Sequence, residues 1–472
     1  MALTENQEEA NQAMLSSIPA SIFRAYDIRG IVDEQINQTS VRQISRAIGS
    51  EALANGIKTL LVGFDGRLSS PSLSKVLIEG LRSTGCHVVN LGLVPTPLLY
   101  FATHTTEFTS AVMLTASHNP SNYNGLKIVF NRSCLAANQI QDIRRRIERN
   151  QLSNGCGRYS ELNIDDSYIE AITSRIALER KLKIVIDCGN AVPGEIAPRL
   201  FESLGCEVIP IYCEIDGNFP NHHPDPTVAE NLQSLAQKVI ESHADIGIAF
   251  DGDGDRLGIV TNLGEVIDAN RILMLLVKQI APNYPGAPII FDVKCSTRLA
   301  SLISDCGAVP VMHRSGHSFM KQKMQETGAP LGGEFAAHIF IQDRWYGFDD
   351  GLYVAARVLE ILSQLDHSAS EEFACLNTGF STPEIKIPVS EENKFALVQS
   401  LLEKADFPTA KLITLDGLRV EYEDGWGLLR ASNTSPTLLL KFEADSADRL
   451  EEIKAEFKAL IRRADKNLEL DF

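Results

Sequence analysis

The sequence predicts an α/β protein in which three related α/β domains, with mixed and mainly parallel sheets, precede a C-terminal α+β domain. Two observations predict this fold: a strand–helix–glycine–strand pattern that occurs three times, and a last stretch that lacks it. The chain has 472 residues, 44% of them apolar. At roughly 100–200 residues per domain, three or four domains are expected, and this composition excludes collagen-like, disordered and disulfide-scaffold proteins.

The repeated pattern begins with the strand Thr59–Phe64, followed by DGR, a helix that ends in GLRSTG, and the strand CHVVNLG. The second occurrence begins with KIVIDCGN and the third with PIIFDVK. Gly85, Gly205 and Gly307 follow the three helices, at the place where glycine commonly ends a helix. Each occurrence therefore predicts a βαβ unit with parallel strands.

Each unit is followed by an apolar strand that runs into a polar loop: Ala111–Leu114 into TASHNP, 245–250 into DGDGDR, and 330–333 towards EFAAH. Ligands of open α/β sheets bind beyond the carboxyl ends of the strands. The three loops are therefore predicted to face one central cleft. The predicted ranges are a flexible N-terminal lead at 1–20, α/β domains at 21–160, 161–265 and 266–377, and an antiparallel α+β domain at 378–472.

Composition restricts the location and the partners. The net charge of −17 repels nucleic acid and anionic membranes. No apolar run approaches the roughly 20 residues that span a bilayer, and the polar, acidic N-terminus does not resemble a signal peptide. The nine cysteines are scattered, without a CxxC pair. We expect a cytoplasmic protein that binds neither nucleic acid nor membrane.

The loop TASHNP places Ser117 beside His118 after a buried strand, among turn-forming residues. This arrangement is compatible with an activated nucleophile, although the GxSxG elbow of hydrolases is absent. An ordinary serine and asparagine turn explains the same residues equally well.

The loop DGDGDR alternates Asp251, Asp253 and Asp255 with glycine, so the three carboxylates can converge on one side of an extended backbone. Clustered carboxylates need a cation, and hard oxygen ligands suit Mg²⁺. A calcium EF-hand is excluded because its sixth and twelfth positions are here Arg256 and Asn262. A solvated acidic turn is the alternative.

Two further loops carry polar groups suited to a phosphosugar. Glu334 and His338 follow a glycine turn and have the chemistry to bind hydroxyls or move a proton, although a structural histidine is the commoner outcome of such spacing. RASNTSP combines Arg430 with hydroxyl and amide donors, which suits a phosphate but also a polar hairpin. Isolated cations end several motifs, namely Arg29, Lys127, Arg256, Lys294 and Arg430.

These four loops, in this order, resemble the motifs of the α-D-phosphohexomutase superfamily, and in particular of its bacterial phosphomannomutase/phosphoglucomutase group. The similarity extends from FRAYDIRG to the C-terminal helix, and DGNFPNHHPDP and RWYGFDDG also resemble this group. The resemblance implies four domains around a central cleft. It further implies an enzyme that interconverts the 6-phosphate and 1-phosphate of mannose or glucose through a phosphoserine and a hexose 1,6-bisphosphate.

Residue roles follow from the same resemblance. Ser117 would carry the phosphoryl group and, with Asp251, Asp253 and Asp255, bind Mg²⁺. Lys127 and His338 would move the hydroxyl proton. The other catalytic residues would be Arg29 and His118. The substrate-binding residues would be Tyr26, Arg256, Lys294, His317, Glu334, Arg430, Ser432, Asn433 and Thr434.

One motif departs from the family pattern, because GEMSGH is replaced by GEFAAH, which lacks a serine hydroxyl at Ala336 and a glycine at Ala337. The sugar preference is therefore open, and a phosphoglucosamine mutase is an alternative. A metal-dependent sugar-phosphate phosphatase and a non-catalytic sugar-phosphate binder are the others. We expect small phosphosugars as partners and a monomeric protein.

Overall fold

The structure is a computed structural model that describes residues 18–376, 379–390, 392–432, 435–466, 468–470 and 472. The chain divides into two compact units. The first unit comprises Met1–Ile267 and Ala337–Ser370, and the second comprises Asp268–Ala336 and Glu371–Phe472. The predicted N-terminal lead at 1–20 lies mostly outside the described residues. No helix in the described part of the chain has the length and apolar character needed to cross a membrane.

The first unit contains a seven-stranded sheet in the order β1-β5-β4-β2-β3-β7, with β6 beside β5. Its β2 pairs in parallel with β3 and β4, while β5 is antiparallel to β4 and β1. Apolar residues of helices and strands pack into one core. The strands are β1 Ile28–Ile31, β2 Thr59–Phe64, β3 His87–Leu93, β4 Ala111–Leu114, β5 Tyr123–Phe130, β6 Ser133–Cys134 and β7 Tyr159–Glu161, and the helices are α1 Gln38–Ala54, α2 Ser70–Arg82, α3 Thr96–Thr105 and α4 Asn138–Glu148.

The same unit contains a five-stranded sheet in the order β12-β11-β10-β8-β9, in which β8 is parallel to β9 and β10, and β10 and β11 are antiparallel. Its elements are α5 Asp165–Thr173, β8 Lys183–Asp187, α6 Ala197–Ser203, β9 Glu207–Ile211, α7 Gln233–Ser242, β10 Ile246–Phe250, β11 Leu257–Thr261 and β12 Val266–Ile267.

The second unit begins with three parallel strands, in which β13 lies between β14 and β15. The elements up to this point are α8 Ala269–Ile280, β13 Pro288–Asp292, α9 Thr297–Asp305, β14 Val309–His313, α10 His317–Thr327 and β15 Leu331–Gly333. The chain then returns to the first unit with β16 Ile339–Ile341 and α11 Gly351–Ser363, and α12 Ala369–Ala374 leads away from it.

The C-terminal part of the second unit is an antiparallel sheet in the order β17-β22-β21-β20-β19, with β18 beside β22. Two helices pack against its apolar face. The elements are β17 Phe380–Ser381, β18 Ile385–Pro388, α13 Lys394–Glu403, β19 Lys411–Ile413, β20 Leu418–Glu421, β21 Gly425–Ala431, β22 Thr437–Ala444 and α14 Ala447–Ala464.

The predicted fold class is confirmed. Each repeat forms a strand, a helix and a parallel strand, and the glycine after each helix has a positive φ, +101° at Gly85, +91° at Gly205 and +81° at Gly307. Residues other than glycine rarely adopt a positive φ. In the first unit, β4 and β10 both end in polar loops, one with Ser117 and the other with Asp251, and these loops meet.

Candidate active site

Ser117 lies in the loop after β4 with an uncommon backbone for a serine, φ +49°. Its amide donates to Thr115 Oγ1 at 2.9 Å, and its hydroxyl donates to Asp251 Oδ2 at 2.7 Å. The Nδ1 atom of His118 is 3.2 Å from the same hydroxyl. The loop therefore holds the serine oxygen against a buried carboxylate.

Arg67, from the DGR sequence after β2, fixes the shape of this loop. Its guanidinium is buried and donates to three backbone carbonyl oxygens of the loop, at Ser117 (2.7 Å), Asn119 (2.6 Å) and Pro120 (2.6 Å), and to that of Tyr123 at the start of β5 (3.0 Å). The Asp65 carboxylate accepts from Nε of Arg67 at 3.1 Å and holds the guanidinium in place. This role of Arg67 was not predicted from the sequence.

Asp251, Asp253 and Asp255 form a buried cluster in which one oxygen of each lies within 4.8 Å of the others. Burial, followed by the charges of Asp255 and Asp253, raises the pKa of Asp251 well above its ordinary value. The predicted convergence of the three side chains is thus present in the structure.

A divalent cation fits this cluster. All three side chains offer oxygen, the ligand that Mg²⁺ prefers. The buried Oδ1 atom of Asp253 has no hydrogen-bond partner among the described residues, which leaves a carboxylate oxygen available to a ligand. The Oδ2 atom of Asp253 is already engaged, since it accepts from Thr96 Oγ1 at 2.5 Å and Lys127 Nζ at 2.7 Å.

Lys127 and His338 each lie close to one carboxylate oxygen of Asp255. Lys127 Nζ, from β5, donates to Asp255 Oδ2 at 2.5 Å, and His338 Nδ1 is 3.5 Å from Asp255 Oδ1. Burial lowers the pKa of Lys127, but the charges of Asp253, Asp255 and Asp349 outweigh it and raise that pKa above its ordinary value. Lys127 is therefore charged at neutral pH.

The orientation of His338 is set by two neighbours. Arg256 Nε donates to His338 Nε2 at 3.0 Å, so the other ring nitrogen, Nδ1, carries the proton of the neutral ring. That nitrogen is 3.1 Å from Asp349 Oδ2. Asp349 belongs to RWYGFDDG, one of the stretches that resemble the family, and no role was predicted for it.

Arg29 and His118 complete this group in the first unit. Arg29 donates to Asn119 Oδ1 at 2.5 Å and pairs with Asp27 at 2.5 Å, so it contacts the Ser117 loop. Burial and the charges of Arg256 and Arg29 lower the pKa of His118 well below its ordinary value, so its ring is neutral at pH 7. The half-buried Tyr26 lies three residues before Arg29.

Glu334 of the predicted sugar-binding loop lies in the second unit, as do the predicted substrate-binding residues Lys294 and His317. The Glu334 carboxylate is buried and accepts from the amide of Gly316 at 2.6 Å, directly before His317 and α10. Lys294 follows β13, and its ammonium is 3.5 Å from Glu384 Oε2. The Gly316 contact thus links the loop of Glu334 to the start of the helix that carries His317.

The predicted phosphate loop follows β21 in the same unit. Arg430 pairs with Asp416 at 2.9 Å, and Asp416 also accepts from the amide of Ser315 at 3.0 Å. Ser432 Oγ accepts from the amide and the hydroxyl of Ser435 at 3.1 and 2.9 Å. Asn433 and Thr434 lie outside the described residues.

The structure thus groups the predicted residues by unit. In the first unit lie Tyr26, Arg29, Ser117, His118, Lys127, Asp251, Asp253, Asp255, Arg256 and His338, and in the second lie Lys294, His317, Glu334, Arg430 and Ser432. Sequence reasoning missed Arg67, Thr96 and Asp349. Arg67 follows β2, Thr96 begins α3, and Asp349 lies beside the cap of α11. Polar groups at such places face the carboxyl end of a sheet, so these positions could have been predicted from the sequence.

Models of four domains match successive parts of the chain. Domains I, II and III of the phosphoglucomutase/phosphomannomutase alpha/beta/alpha type match residues 20–154, 166–264 and 268–378, and the C-terminal domain matches 384–460.

The curated relatives and solved structures agree with these matches. A phosphomannomutase/phosphoglucomutase of Pseudomonas aeruginosa is 52% identical over 98% of this chain and 99% of its own length. A phosphoglucomutase of Neisseria gonorrhoeae is 45% identical over 95% of this chain and 98% of its own. The crystal structure of a phosphoglucomutase/phosphomannomutase family protein from Burkholderia thailandensis superposes with a TM-score of 0.92 at 45% identity, covering 96% of this chain and all of that one. The chain belongs to the phosphoglucomutase/phosphomannomutase family.

Proposed function

We propose that this chain is a phosphohexomutase that interconverts the 6-phosphate and 1-phosphate of mannose, glucose or both. The observation that carries the proposal is the contact between the Ser117 hydroxyl and Asp251, within a cluster of three buried aspartates. The names of the curated relatives support mannose and glucose as the sugars.

In this proposal Ser117 carries the phosphoryl group and transfers it to the free hydroxyl of a bound hexose phosphate, which yields a hexose 1,6-bisphosphate. The other phosphate of that intermediate then returns to Ser117. Such transfers depend on in-line positioning and on stabilised charge. The clamp by Arg67 and the contact with Asp251 keep the serine oxygen in one place, and Arg256 and Arg29 supply positive charge nearby.

Asp251, Asp253 and Asp255 would hold Mg²⁺ together with Ser117. When bound, the ion neutralises charge on the transferring group. Lys127 and His338 lie near different oxygens of Asp255. We propose that one of them moves the hydroxyl proton in each orientation of the substrate.

Besides Tyr26 and Arg256 of the first unit, the predicted substrate-binding residues lie in the second unit. Glu334 and His338 would contact sugar hydroxyls, His317 would be a further substrate-binding residue, and Lys294 would add positive charge. Arg430, Ser432, Asn433 and Thr434 would bind the non-reacting phosphate, since a guanidinium and small donors recognise phosphate in either orientation of the sugar. The four predicted ranges, 21–160, 161–265, 266–377 and 378–472, would carry the serine, metal, sugar and phosphate loops in turn.

Replacing Arg430 tests the phosphate contact. We expect Arg430→Ala to raise KM and lower kcat together, because Arg430 would bind the phosphate both before and during transfer. The matched control is Arg449→Ala on α14, whose guanidinium instead pairs with Asp424, Glu452 and Glu456. An unchanged KM in Arg430→Ala would reject the assignment.

The activity itself is tested in one experiment. Intact mass spectrometry measures whether the chain carries a phosphate, and a coupled assay with hexose 1,6-bisphosphate measures turnover of mannose, glucose and glucosamine 1-phosphates. The expected result is a phosphorylated chain with its highest kcat/KM on mannose or glucose 1-phosphate. Preference for glucosamine 1-phosphate would favour the alternative left open by Ala336 and Ala337, and phosphate release faster than isomerisation would favour a phosphatase.

We further propose a cytoplasmic monomer. All nine cysteines are free in the structure, as expected of a chain from a reducing compartment. Gel filtration of the purified chain tests the monomer, and fractionation of cells tests the location.

A further inference from the structure

Two cysteines of the first unit contact each other although they are 25 residues apart. Cys213 Sγ lies 3.5 Å from Cys188 Sγ. The sheet produces this contact, because Cys188 directly follows β8 and Cys213 lies two residues after β9, and these two strands are neighbours in parallel register. Side chains at the ends of adjacent strands lie at the short separation that a disulfide requires.

The backbone around both cysteines is held by further hydrogen bonds. Asn190 donates its amide to the Tyr212 carbonyl at 2.7 Å and its side-chain nitrogen to the Glu214 carbonyl at 2.8 Å, on either side of Cys213. The amide of Cys188 donates to the Ile211 carbonyl at 3.4 Å. The two segments are thus already docked, so joining the sulfurs needs adjustment of side chains rather than a change of fold.

The two thiols differ in access. Cys188 is buried and Cys213 is half-buried, so a small oxidant reaches Cys213 first. Burial also raises the pKa of the Cys188 thiol well above its ordinary value, which disfavours Cys188 as the first group to react.

We infer that Cys188 and Cys213 are a peroxide-sensitive pair that forms a reversible disulfide. The thiolate of Cys213 attacks hydrogen peroxide and forms a sulfenic acid with release of hydroxide. The sulfur of Cys188 then attacks the sulfenic sulfur, its proton leaves with the departing hydroxide as water, and the S–S bond closes. In total two thiols are oxidised and one peroxide is reduced to two waters.

The disulfide would restrain a segment that touches the serine loop. This segment runs from Cys213 to His223, and His223 donates from Nε2 to the carbonyl oxygen of His118, the neighbour of Ser117. His222, beside it, contacts Asp187 at the end of β8 at 2.9 Å. Oxidation should therefore slow turnover by changing how this segment supports the loop. This rate effect rests on the proposed function, whereas the disulfide does not.

The test uses the reduced full-length chain and graded hydrogen peroxide, followed by alkylation of the remaining thiols under denaturing conditions, digestion and mass spectrometry. The expected product is one cross-linked pair of peptides containing Cys188 and Cys213, two hydrogens lighter than the separate peptides and lost on treatment with dithiothreitol. Cys213→Ser should abolish it, and Cys156→Ser, at an exposed cysteine elsewhere, should leave it intact.

Two results would overturn the inference. The pair is rejected if Cys188 remains alkylated at a peroxide concentration that oxidises the exposed Cys156 and Cys375, whether Cys213 is then untouched or oxidised to a sulfinic acid. We expect cross-linking to lower kcat several-fold, dithiothreitol to restore it, and peroxide to leave the kcat of Cys213→Ser unchanged. The effect on turnover is rejected if the cross-linked chain turns over as fast as the reduced one. A chain without any mutase activity would refute the proposed function and leave the mass result standing.

Discussion

The Ser117 hydroxyl is positioned by three contacts from different parts of the first unit. Thr115 accepts its amide hydrogen, Arg67 donates to its carbonyl oxygen, and Asp251 accepts its hydroxyl hydrogen. These contacts sustain a left-handed backbone that costs energy in a residue other than glycine. A serine that serves only to form a turn does not require this arrangement, so the strain favours a role for the hydroxyl in chemistry.

Removal of that hydroxyl should abolish turnover. We expect Ser117→Ala to lower kcat by on the order of 10³-fold or more, because no other group would receive the phosphoryl group. A coupled mutase assay and intact mass measure the loss of activity and of bound phosphate. Ser121→Ala, at an exposed serine of the same loop, is the control and should keep both. Near-normal activity of Ser117→Ala would contradict the donor role.

Arg67 provides the second prediction at this scale. Arg67→Lys keeps the charge but cannot reach the four carbonyl oxygens that the guanidinium binds. A shift of the serine by about 1 Å costs roughly 10²-fold in rate, so we expect kcat to fall by about that factor with a smaller change in KM.

The control for Arg67 is Arg82→Lys, whose partly exposed guanidinium donates to a single carbonyl, that of Gly157. If Arg67→Lys fails to fold, Asp65→Asn weakens the same clamp more gently, because Asp65 accepts from Arg67 Nε. If steady-state kinetics show an unchanged kcat in the folded variant, Arg67 has a structural role only.

At the scale of secondary-structure elements, the sequence predicted the strands and helices, which depend on residues close together in the chain. β2 and β4 occupy the predicted ranges, and the C-terminal helix of the sequence analysis is α14, with the Ser446 side chain as its N-terminal cap. The role of Arg67 was not predictable in this way. Arg67 lies 50 residues before Ser117 and contacts it because β2 and β4 are neighbours in the sheet. The amino-acid sequence alone does not specify that pairing.

The N-terminus of α11 carries a titratable cap with a measurable consequence. Asp350 accepts hydrogen bonds from the Tyr353 amide, Tyr168 Oη and Trp345 Nε1, at 3.0, 2.7 and 3.0 Å. Burial raises its pKa from 3.8 to about 7 in spite of these donors. The folded chain thus keeps a proton that the unfolded chain loses, so the stabilisation from this group is complete below about pH 3.8 and is lost as the pH rises through 7.

We therefore expect Asp350→Asn to gain stability relative to the parent chain as the pH rises, by up to about 4 kcal/mol across the full window. Thermal midpoints of both proteins at pH 5, 6, 7 and 8 measure the change. The side-chain amide of the Asp350→Asn variant faces the same donors at every pH. Its effect on the stability difference between variant and parent is therefore constant, and the slope of that difference with pH is unchanged. A difference independent of pH would show that Asp350 does not titrate in this range, and Asp166→Asn, at an exposed aspartate, should give that flat result.

Over the whole molecule, a net charge of −17 coexists with cations kept inside each unit. Arg29, Arg67 and Lys127 are buried in the first unit, and Lys294 and Arg430 in the second. Among the described residues of the first unit, the three aspartates of the cluster pair with two cations, Lys127 and Arg256. Three carboxylates that face two cations leave a negative charge when all three are ionised, so we expect a bound cation to stabilise the molecule.

Mg²⁺ should therefore raise the thermal midpoint of the chain, independently of any turnover. A ligand at 100 times its dissociation constant stabilises the folded state by about 2.7 kcal/mol, and we expect chelation with EDTA to remove that gain. Asp251→Asn is the informative variant, because it removes one of three repelling charges and one metal ligand together. Without metal it should be at least as stable as the parent chain, yet it should not respond to Mg²⁺, whereas Asp166→Asn should respond fully. An equal response of the parent chain and Asp251→Asn would place the bound ion elsewhere on this acidic molecule, and the proposed metal role of the three aspartates would fail.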